Sequence, residues 1–296
     1  MAPARPEYNL RRVNIFAGEE GRPVASRQFK TPILGVAFSC KGHIAVCLSD
    51  RIYWFKFLER GEAPKEVLTW LNPEGMFAIS DDGHLLAYPA GPSLIGVRHG
   101  NEELARIATD GPCCKLRFNP KGAGQDLLAG VAEGGKTVWV WGLQRNEQKA
   151  TLKWDFTRSR AKQCQVQGVD FNGLSTLLAL STDSGTVHVF ELSERNQQSA
   201  GGYFGGMTAW IPAVVAPSVT SKYKIRVGTP VHVLACLRVG EALLPAELED
   251  GAPQPQRSVY VLSAAGSLLE YGLPVDNRPG AVLETDLPLR SMRVFP

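Results

Sequence analysis

A repeated two-strand phrase constrains this chain more than any other sequence feature. It reads LLAGVAEGGKTVWVWGL at Leu127–Leu143 and returns as LLALSTDSGTVHVFEL at Leu177–Leu192. Each copy has an apolar segment, a polar or glycine-bearing turn, and a second segment rich in β-branched and aromatic residues. This order is typical of a β-hairpin. Weaker copies begin at His43, Leu85 and Val259.

The spacing of these hairpins predicts how they pack. A hairpin cannot bury both of its faces alone, and a repeat of roughly 40–50 residues is typical of the blades of a β-propeller. Five hairpins and a fragment at Arg11–Phe16 therefore predict an all-β, WD40-like propeller with five to six visible blades, in one domain over residues 1–296. Helical periodicity is scarce, and Asn101–Ala108 has room for only a turn or two of helix.

Composition and patterning argue against several classes of protein. The formal net charge of +3 is too small to indicate nucleic-acid binding. No apolar run reaches the roughly 18–20 residues that span a bilayer, and the N-terminal segment lacks the apolar stretch of a secretory signal. The six cysteines form no Cys-x-x-Cys pair, and we interpret them as buried, reduced thiols of a cytosolic protein.

A search for catalytic residues finds no recognisable motif. The sequence lacks a nucleophile elbow, a phosphate-binding loop, a zinc-binding helix and a kinase signature. Asp81 and Asp82 precede Gly83, which is typical of a hairpin turn. The five histidines lie far apart in the sequence, so a zinc site would have to be assembled by folding. We therefore predict a binding or interaction module, with no enzymatic activity, cofactor or metal.

A short basic segment at Lys153–Lys162 departs from the hairpin pattern. It reads KWDFTRSRAK, with cations at Lys153, Arg158, Arg160 and Lys162. One interpretation is a solvated strand edge whose charges discourage edge-to-edge pairing. The other is an anion site, because the planar guanidinium of arginine presents a fork of donors that matches phosphate.

A long connection at Ser193–Ser221 is the second unusual segment. Loops of this length are usually functional or disordered, but disordered loops are poor in aromatic residues. This one carries Tyr203, Phe204, Met207, Trp210 and Ile211. Glycine pairs and prolines prevent a single long helix. Two interpretations stay open, a cap packed on a neighbouring blade and a surface loop that enters a membrane.

These features together resemble the PROPPIN family, the seven-bladed phosphoinositide-binding WD-repeat propellers of autophagy. Thr31–Phe57 is similar to the family's third blade and Asn72–Pro89 to its fourth. Phe156–Phe190 is similar to the family's Phe-Arg-Arg-Gly motif and its sixth blade, and Gly201–Gly205 lies where the family has a membrane loop. The resemblance covers nearly the whole chain, but the first blade and most of the second have no counterpart before Arg11.

The resemblance implies a function. It implies a peripheral membrane protein that binds PtdIns3P or PtdIns(3,5)P2 and acts as a scaffold in autophagy. Such a protein reaches preautophagosomal or endosomal membranes from the cytoplasm. Its partners are phosphoinositide membranes and autophagy-related proteins, with no nucleic acid among them. A propeller that has lost lipid binding and serves only as a protein–protein interaction platform stays open as the alternative.

The family motif falls on Phe156–Ser159 with two changes. Thr157 takes the place of the first arginine, and Ser159 takes the place of the glycine. In the family the two arginines serve separate headgroup pockets, so the first change weakens the case for one of them. Gly130 and Ala132 stand at positions of hydroxyl residues that line this first pocket, and neither has a side-chain donor.

The pocket of the second arginine keeps more of its expected residues. Arg158 is retained, and His188 falls where the family has a headgroup-binding histidine. The resemblance thus implies a phosphoinositide site formed by Arg158, Arg160, Ser181, Thr182, Ser184, Thr186 and His188. It implies membrane insertion by Tyr203, Phe204, Met207, Trp210 and Ile211 on the long loop of the sixth blade, residues 193–221.

Overall fold

The strand content of the chain agrees with the sequence pattern. The computed structural model describes residues 10–16, 23–56, 63–120, 125–158, 163–193, 221–227, 234–238, 257–262, 267–273, 283–284 and 289–293. Within these ranges the helical segments are two short 3₁₀ turns, Glu133–Gly135 and Arg145–Glu147. All other regular structure there is β-strand, which confirms the prediction of an all-β fold.

The first three sheets follow one another along the chain. A two-stranded sheet contains β1 (Arg12–Phe16) and β2 (Pro23–Gln28). The second sheet contains β3 (Gly35–Phe38), β4 (His43–Cys47), β5 (Arg51–Lys56) and β6 (Lys65–Leu68). The third contains β7 (Ala78–Ile79), β8 (Leu85–Gly91), β9 (Leu94–His99) and β10 (Glu102–Ala108). Consecutive strands pair antiparallel in each of them.

The remaining sheets continue this arrangement. The fourth contains β11 (Cys113–Phe118), β12 (Asp126–Ala132), β13 (Thr137–Gln144) and β14 (Lys149–Thr157). The fifth contains β15 (Val166–Phe171), β16 (Leu177–Thr182), β17 (Thr186–Glu191) and β18 (Tyr223–Arg226). The last contains β19 (Leu234–Arg238), β20 (Arg257–Leu262) and β21 (Ser267–Leu273). Next along the chain, β22 (Leu283–Glu284) pairs in parallel with β18, and β23 (Leu289–Arg293) completes the last sheet.

The predicted hairpins are all present, as β4–β5, β8–β9, β12–β13, β16–β17 and β20–β21. The described strands form five sheets of four or more strands and one of two, as expected for five blades and a fragment. This repetition confirms the β-propeller fold. Asn101–Ala108 forms no helix, because Glu102–Ala108 pairs along β9 as an outer strand.

Successive side chains of a strand point to opposite faces of its sheet. The buried side chains on these faces form a core between successive sheets. Phe156 on β14 and Phe190 on β17 have ring centroids 4.8 Å apart, and they join the fourth sheet to the fifth. On the other face of the fourth sheet, Trp139 and Trp141 pack among buried side chains of the third. The fourth sheet is therefore apolar on both faces, which explains its long apolar runs in the sequence.

Ion pairs also connect neighbouring sheets. Arg117 Nε on β11 lies 2.9 Å from Asp170 Oδ1 on β15. Arg145 Nη2, after β13, lies 3.5 Å from Asp82 Oδ2 in the turn between β7 and β8. The predicted turn at Asp82 and Gly83 is confirmed, and the positive φ of 74° at Gly83 is one that glycine tolerates best. The buried Asp82 carboxylate therefore also links two sheets.

The cysteines agree only in part with the expectation of buried thiols. Five of them have described side chains, and all five are free thiols. Cys47 is buried, and burial raises its pKa to about 12. Cys40 is exposed because it follows the end of β3, in the turn that leads to β4. The other three, Cys113, Cys114 and Cys164, are partly buried.

Candidate functional site

One face of the fifth sheet carries the candidate site. Leu180 on β16, His188 on β17 and Lys224 on β18 are direct partners in the strand register. Directly paired residues project from the same face of a sheet. Leu180 is buried against the fourth sheet, so His188 and Lys224 also face the fourth sheet. Thr186 and Arg226 form the next pair on this face.

The turn between β16 and β17 supplies hydroxyl groups at one end of the region where this face meets the fourth sheet, which we call the cleft. Thr182 Oγ1 lies 2.8 Å from Ser184 Oγ and donates to the Thr186 carbonyl oxygen at 3.1 Å. Ser184 Oγ donates to Thr186 Oγ1 at 3.4 Å. Gly185 has a φ of 69°, which allows the tight reversal. Three of the predicted hydroxyl residues are thus held together in one network.

Ser181 lies on the opposite face of the fifth sheet. It is paired with Val187, which is buried in the core shared with the last sheet. Its Oγ donates to the Gly168 carbonyl oxygen at 3.5 Å, and the residue is fully buried. Strand alternation therefore separates Ser181 from the other predicted residues, although its neighbour Thr182 belongs with them.

Arg158 follows β14 directly and is only 6% exposed, so it is not part of a solvated strand edge. Its backbone N–H donates to the Lys136 carbonyl oxygen at 2.9 Å, and its Nη1 donates to Cys164 Sγ at 2.6 Å. Gly135 makes room for this contact, since a Cβ there would lie 2.9 Å from Cys164 Sγ and 3.4 Å from Arg158 Nη1. Arg160 lies outside the described residues.

His188 is a neutral, buried imidazole at ordinary pH. It is 8% exposed, and its Nδ1 lies 3.2 Å from Ser221 Oγ, which is buried as well. Burial, followed by the positive charges of Arg158 and Lys224, lowers the pKa of His188 to about 3. The cleft therefore combines concentrated positive charge with a neutral hydrogen-bonding ring, which suits an anion.

The corresponding position between the third and fourth sheets is filled by indole rings. Trp139 and Trp141 are buried there with ring centroids 5.9 Å apart. A Cβ on Gly130 would lie 2.7 Å from Trp141 Cζ3, so packing alone accounts for the glycine. Thr157, at the position of the missing arginine, is paired with Thr137 at the ends of their strands.

Several side chains of the cleft were missed by reasoning from the sequence. Lys224 and Arg226 share the face of His188, and Ser221 contacts the ring itself. The signal was present in KYKIR at residues 222–226, where charged and apolar residues alternate as in a half-buried strand. The contact between Cys164 and Arg158 had no such signal, because it depends on the path of the connection after β14.

A second positively charged cleft lies between the second and third sheets. The rings of His43 and His84 are 5.4 Å apart, and those of His84 and His99 are 6.1 Å apart. Folding thus assembles three histidines that are distant in the sequence. Two of them, His43 and His84, line a cavity of about 590 Å³ together with Lys41, Lys56, Lys65 and Asp82. No cluster of three or more potential metal ligands occurs among the residues described.

The residues predicted to insert into a membrane cannot be placed relative to this site. Tyr203, Phe204, Met207, Trp210 and Ile211 all lie outside the described residues. In the ranges that are described, no helix combines the length and apolar character needed to cross a bilayer.

Comparisons of sequence relate the chain to proteins of known type. No family model matches it. It is 24% identical over 209 residues to WD repeat domain phosphoinositide-interacting protein 1 of Xenopus laevis, covering 67% of this chain and 46% of that protein. It is 26% identical over 210 residues to autophagy-related protein 18 of Mycosarcoma maydis, covering 62% and 44%. The chain therefore spans about half the length of these curated relatives.

Solved structures show the same fold. Hsv2 of Kluyveromyces lactis superposes with a TM-score of 0.61 at 14% identity, covering 86% of this chain and 72% of that one. A complex of KlAtg21 with the coiled coil of AgAtg16 gives 0.61 at 15% identity, covering 90% and 74%. The sequence matches and the shared fold together confirm the resemblance inferred from the motifs, and the chain is similar to the PROPPIN propellers.

Proposed function

We propose that this chain is a phosphoinositide-binding propeller that associates peripherally with preautophagosomal or endosomal membranes from the cytoplasm and acts as an autophagy scaffold, without enzymatic activity. The names of its relatives include phosphoinositide-interacting and autophagy-related proteins. The observation that carries the proposal is the cleft between the fourth and fifth sheets. There, Arg158 is near enough to His188 for its charge to act on the ring. Thr182 and Thr186 lie on the same face of the fifth sheet as His188.

Binding begins with the phosphate entering beside Arg158. The guanidinium offers charge-assisted hydrogen bonds, which are stronger than bonds between neutral groups. A thiol is a weak acceptor, so exchanging the contact with Cys164 Sγ for one with a phosphate oxygen favours the ligand. The hydroxyls of Thr182, Ser184 and Thr186 can rotate from their mutual network toward phosphate oxygens.

His188 contributes a donor in its neutral form. If Ser221 donates to Nδ1, the proton of the neutral ring is on Nε2, which can donate to the ligand. An added phosphate also offsets the positive charges that hold the pKa of His188 low. Ligand binding should therefore raise the pKa of this histidine.

A single headgroup pocket gives reversible membrane binding, so a second contribution is expected. The face of the fourth sheet that carries Thr157 also carries the buried Trp139 and Trp141, so we expect no first pocket there. We assign the second contribution to insertion by the aromatic segment that contains Tyr203, Phe204 and Trp210. Interfacial aromatic side chains favour the boundary between lipid headgroups and acyl chains.

Liposome flotation tests this proposal. The purified chain should float with vesicles containing PtdIns3P and stay at the bottom with vesicles in which phosphatidylinositol and phosphatidylserine supply the same total charge. Equal flotation on both would reduce the interaction to general attraction for anionic membranes. No flotation on either would support the scaffold-only alternative.

Insertion has a separate test. Comparing the wild type with Trp210→Phe isolates one indole among the six tryptophans of the chain. The emission of Trp210 should shift to the blue on adding PtdIns3P vesicles, since its indole leaves water. A large loss of thermal stability in Trp210→Phe without any vesicle-induced shift would instead support a cap packed on a blade.

A second candidate function is a docking platform for an acidic partner, and the cleft beside His43 and His84 favours it. Lys41, Lys56 and Lys65 also line this cleft, so it would attract a helix rich in Glu and Asp. One structural neighbour, Atg21, is in complex with a coiled coil. In a binding assay with an acidic coiled-coil peptide, Lys56→Glu should abolish capture, whereas Lys149→Glu on β14 should not. Equal capture by both variants would exclude this cleft.

A further inference from the structure

Strand β18 forms one wall of the cleft between the fourth and fifth sheets. Its residues alternate in burial, with Tyr223 and Ile225 buried in the core shared with the last sheet. Lys224 and Arg226 therefore project from the other face, toward the fourth sheet. This is the face on which His188 and Thr186 lie.

The strand register fixes how near these cations lie to the proposed ligands. Lys224 is the direct partner of His188, and Arg226 is the direct partner of Thr186. Side chains paired in this way have Cβ atoms about 4.5–5.5 Å apart. Successive residues on one face of a strand are about 7 Å apart. Lys224 and Arg226 therefore extend along the same edge of the cleft, from the buried imidazole to the hydroxyl turn.

A further cation, Lys222, lies just before β18 and forms an ion pair. Lys222 Nζ donates to Glu191 Oε2 at 2.9 Å and lies 5.6 Å from the centroid of the Tyr223 ring. A carboxylate beside Lys222 offsets its charge. Lys222 thus offers a matched control, two residues from Lys224 in the sequence.

Resting on the function proposed above, we propose that Lys224 is a phosphate-binding residue of this cleft and that Arg226 extends the site at its outer end. Arg158 and Lys224 would then approach one phosphate from the two walls of the cleft, the first from the fourth sheet and the second from the fifth. Arg226 is exposed, so it would reach a further phosphate on the same inositol ring. The preferred ligand class is therefore an inositol phosphate with more than one phosphate group.

The lowered pKa of His188 agrees with this arrangement. Burial is the largest cause of the lowered pKa. The positive charges of Arg158 and Lys224 both lower it further. The two cations therefore act on one space from opposite sides, where a phosphate group would meet both.

Binding of a soluble headgroup tests the inference without a membrane. Inositol 1,3-bisphosphate is titrated by calorimetry into the wild type, Lys224→Gln and Lys222→Gln. The dissociation constant should rise about tenfold or more in Lys224→Gln, as expected for the loss of one charge-assisted bond. It should change less than about twofold in Lys222→Gln, and Lys224→Arg should retain most of the affinity.

A second ligand tests the part played by Arg226. Inositol 1,3,5-trisphosphate carries one more phosphate, and Arg226→Gln should weaken its binding more than that of the bisphosphate. An equal effect on both ligands would remove Arg226 from the site.

The outcomes separate this inference from the proposed function. Unchanged affinity in Lys224→Gln, or an equal loss in Lys222→Gln, would overturn the assignment of Lys224 even if the wild type floats with PtdIns3P vesicles. A wild type that binds the soluble headgroup but not the vesicles would overturn the membrane function, while the variants would still decide the role of Lys224. A wild type that binds neither would overturn both.

Discussion

The Nδ1 atom of His188 and the Oγ atom of Ser221 lie 3.2 Å apart, and both residues are buried. Ser221 immediately precedes Lys222, whose backbone N–H donates to the Val189 carbonyl oxygen at 2.8 Å. The entry into β18 is therefore fixed to β17 by one side-chain contact and one backbone bond. The orientation of the imidazole in the cleft depends on this pair.

Removing the serine hydroxyl should destabilise the fold. Ser221→Ala leaves a buried ring nitrogen without this partner, which costs about 1–3 kcal/mol. The free energy of unfolding in urea should fall by that amount. Ser26→Ala removes an exposed bond to Asn14 and should change it by less than about 0.5 kcal/mol. Equal effects of the two substitutions would contradict a structural role for Ser221.

Acid should destabilise the chain through His188. The pKa of His188 is about 3 in the folded protein, below its ordinary value of 6.5. Between these two values the unfolded chain binds a proton that the folded chain does not bind. Stability is therefore complete above pH 6.5 and falls as the pH is lowered, by at most about 1.4 kcal/mol per pH unit.

The variant His188→Gln isolates this effect from the titration of carboxylates. Between pH 6.5 and pH 5, the free energy of unfolding of His188→Gln should fall less than that of the wild type, because the variant lacks the titrating ring. The measurement is the free energy of unfolding in urea at several pH values. If the two proteins give parallel curves of unfolding free energy against pH, the pKa of His188 is not lowered in the folded state.

Gly135 should tolerate no side chain. It has a φ of 67°, and a Cβ there would lie 2.8 Å from Cγ2 of Val166, a stiff β-branched residue. Gly135→Ala should therefore cost about 1–2 kcal/mol for the left-handed backbone and about 1–3 kcal/mol more for the clash. Gly42→Ala is the control, because Gly42 has a φ of 77° and no atom within 4 Å of the added Cβ. Similar losses of stability in the two variants would show that Val166 moves aside easily.

Restoring the missing arginine should not restore the first pocket. Trp139 and Trp141 are buried on the face of the fourth sheet that also carries Thr157. Thr157→Arg should therefore leave the affinity for PtdIns3P vesicles within about twofold of the wild type. A clear gain, of the tenfold expected from one charge-assisted bond to phosphate, would show that the indoles leave room for a headgroup.

The architecture could be predicted from the sequence because hairpins are local. A turn such as Thr182–Thr186 joins two apolar strands in one short segment, so the pattern can be recognised without knowing the fold. Asn101–Ala108 was ambiguous because its apolar residues are spaced irregularly. Its pairing with β9 decides the outcome.

The site was less predictable because it depends on contacts between sheets. The sequence predicted a binding role for both Ser181 and Thr182, which are adjacent. Strand alternation places them on opposite faces of the sheet. Lys224 lies beyond a long connection from His188, so only the register of β17 and β18 brings them together. The burial of Arg158 against Cys164 depends on the path of the chain after β14.

Arg158 is the residue on which the account depends most. Arg158→Gln removes the cation but keeps a shorter polar side chain, and Arg158→Lys keeps the charge without the fork of donors. Arg106→Gln is the control, because Arg106 is exposed and pairs with Glu103 on the outer strand β10. Thermal unfolding of all variants shows which of them remain folded at the temperature of the assay.

Flotation of these variants with PtdIns3P vesicles is the most direct measurement of the central claim. Arg158→Gln should bind at least about tenfold more weakly than the wild type, because a charge-assisted bond to phosphate contributes about 1.5–3 kcal/mol. Arg158→Lys should fall between them, and Arg106→Gln should match the wild type. Wild-type flotation by a folded Arg158→Gln variant would contradict the claim that this cleft holds the phosphoinositide headgroup.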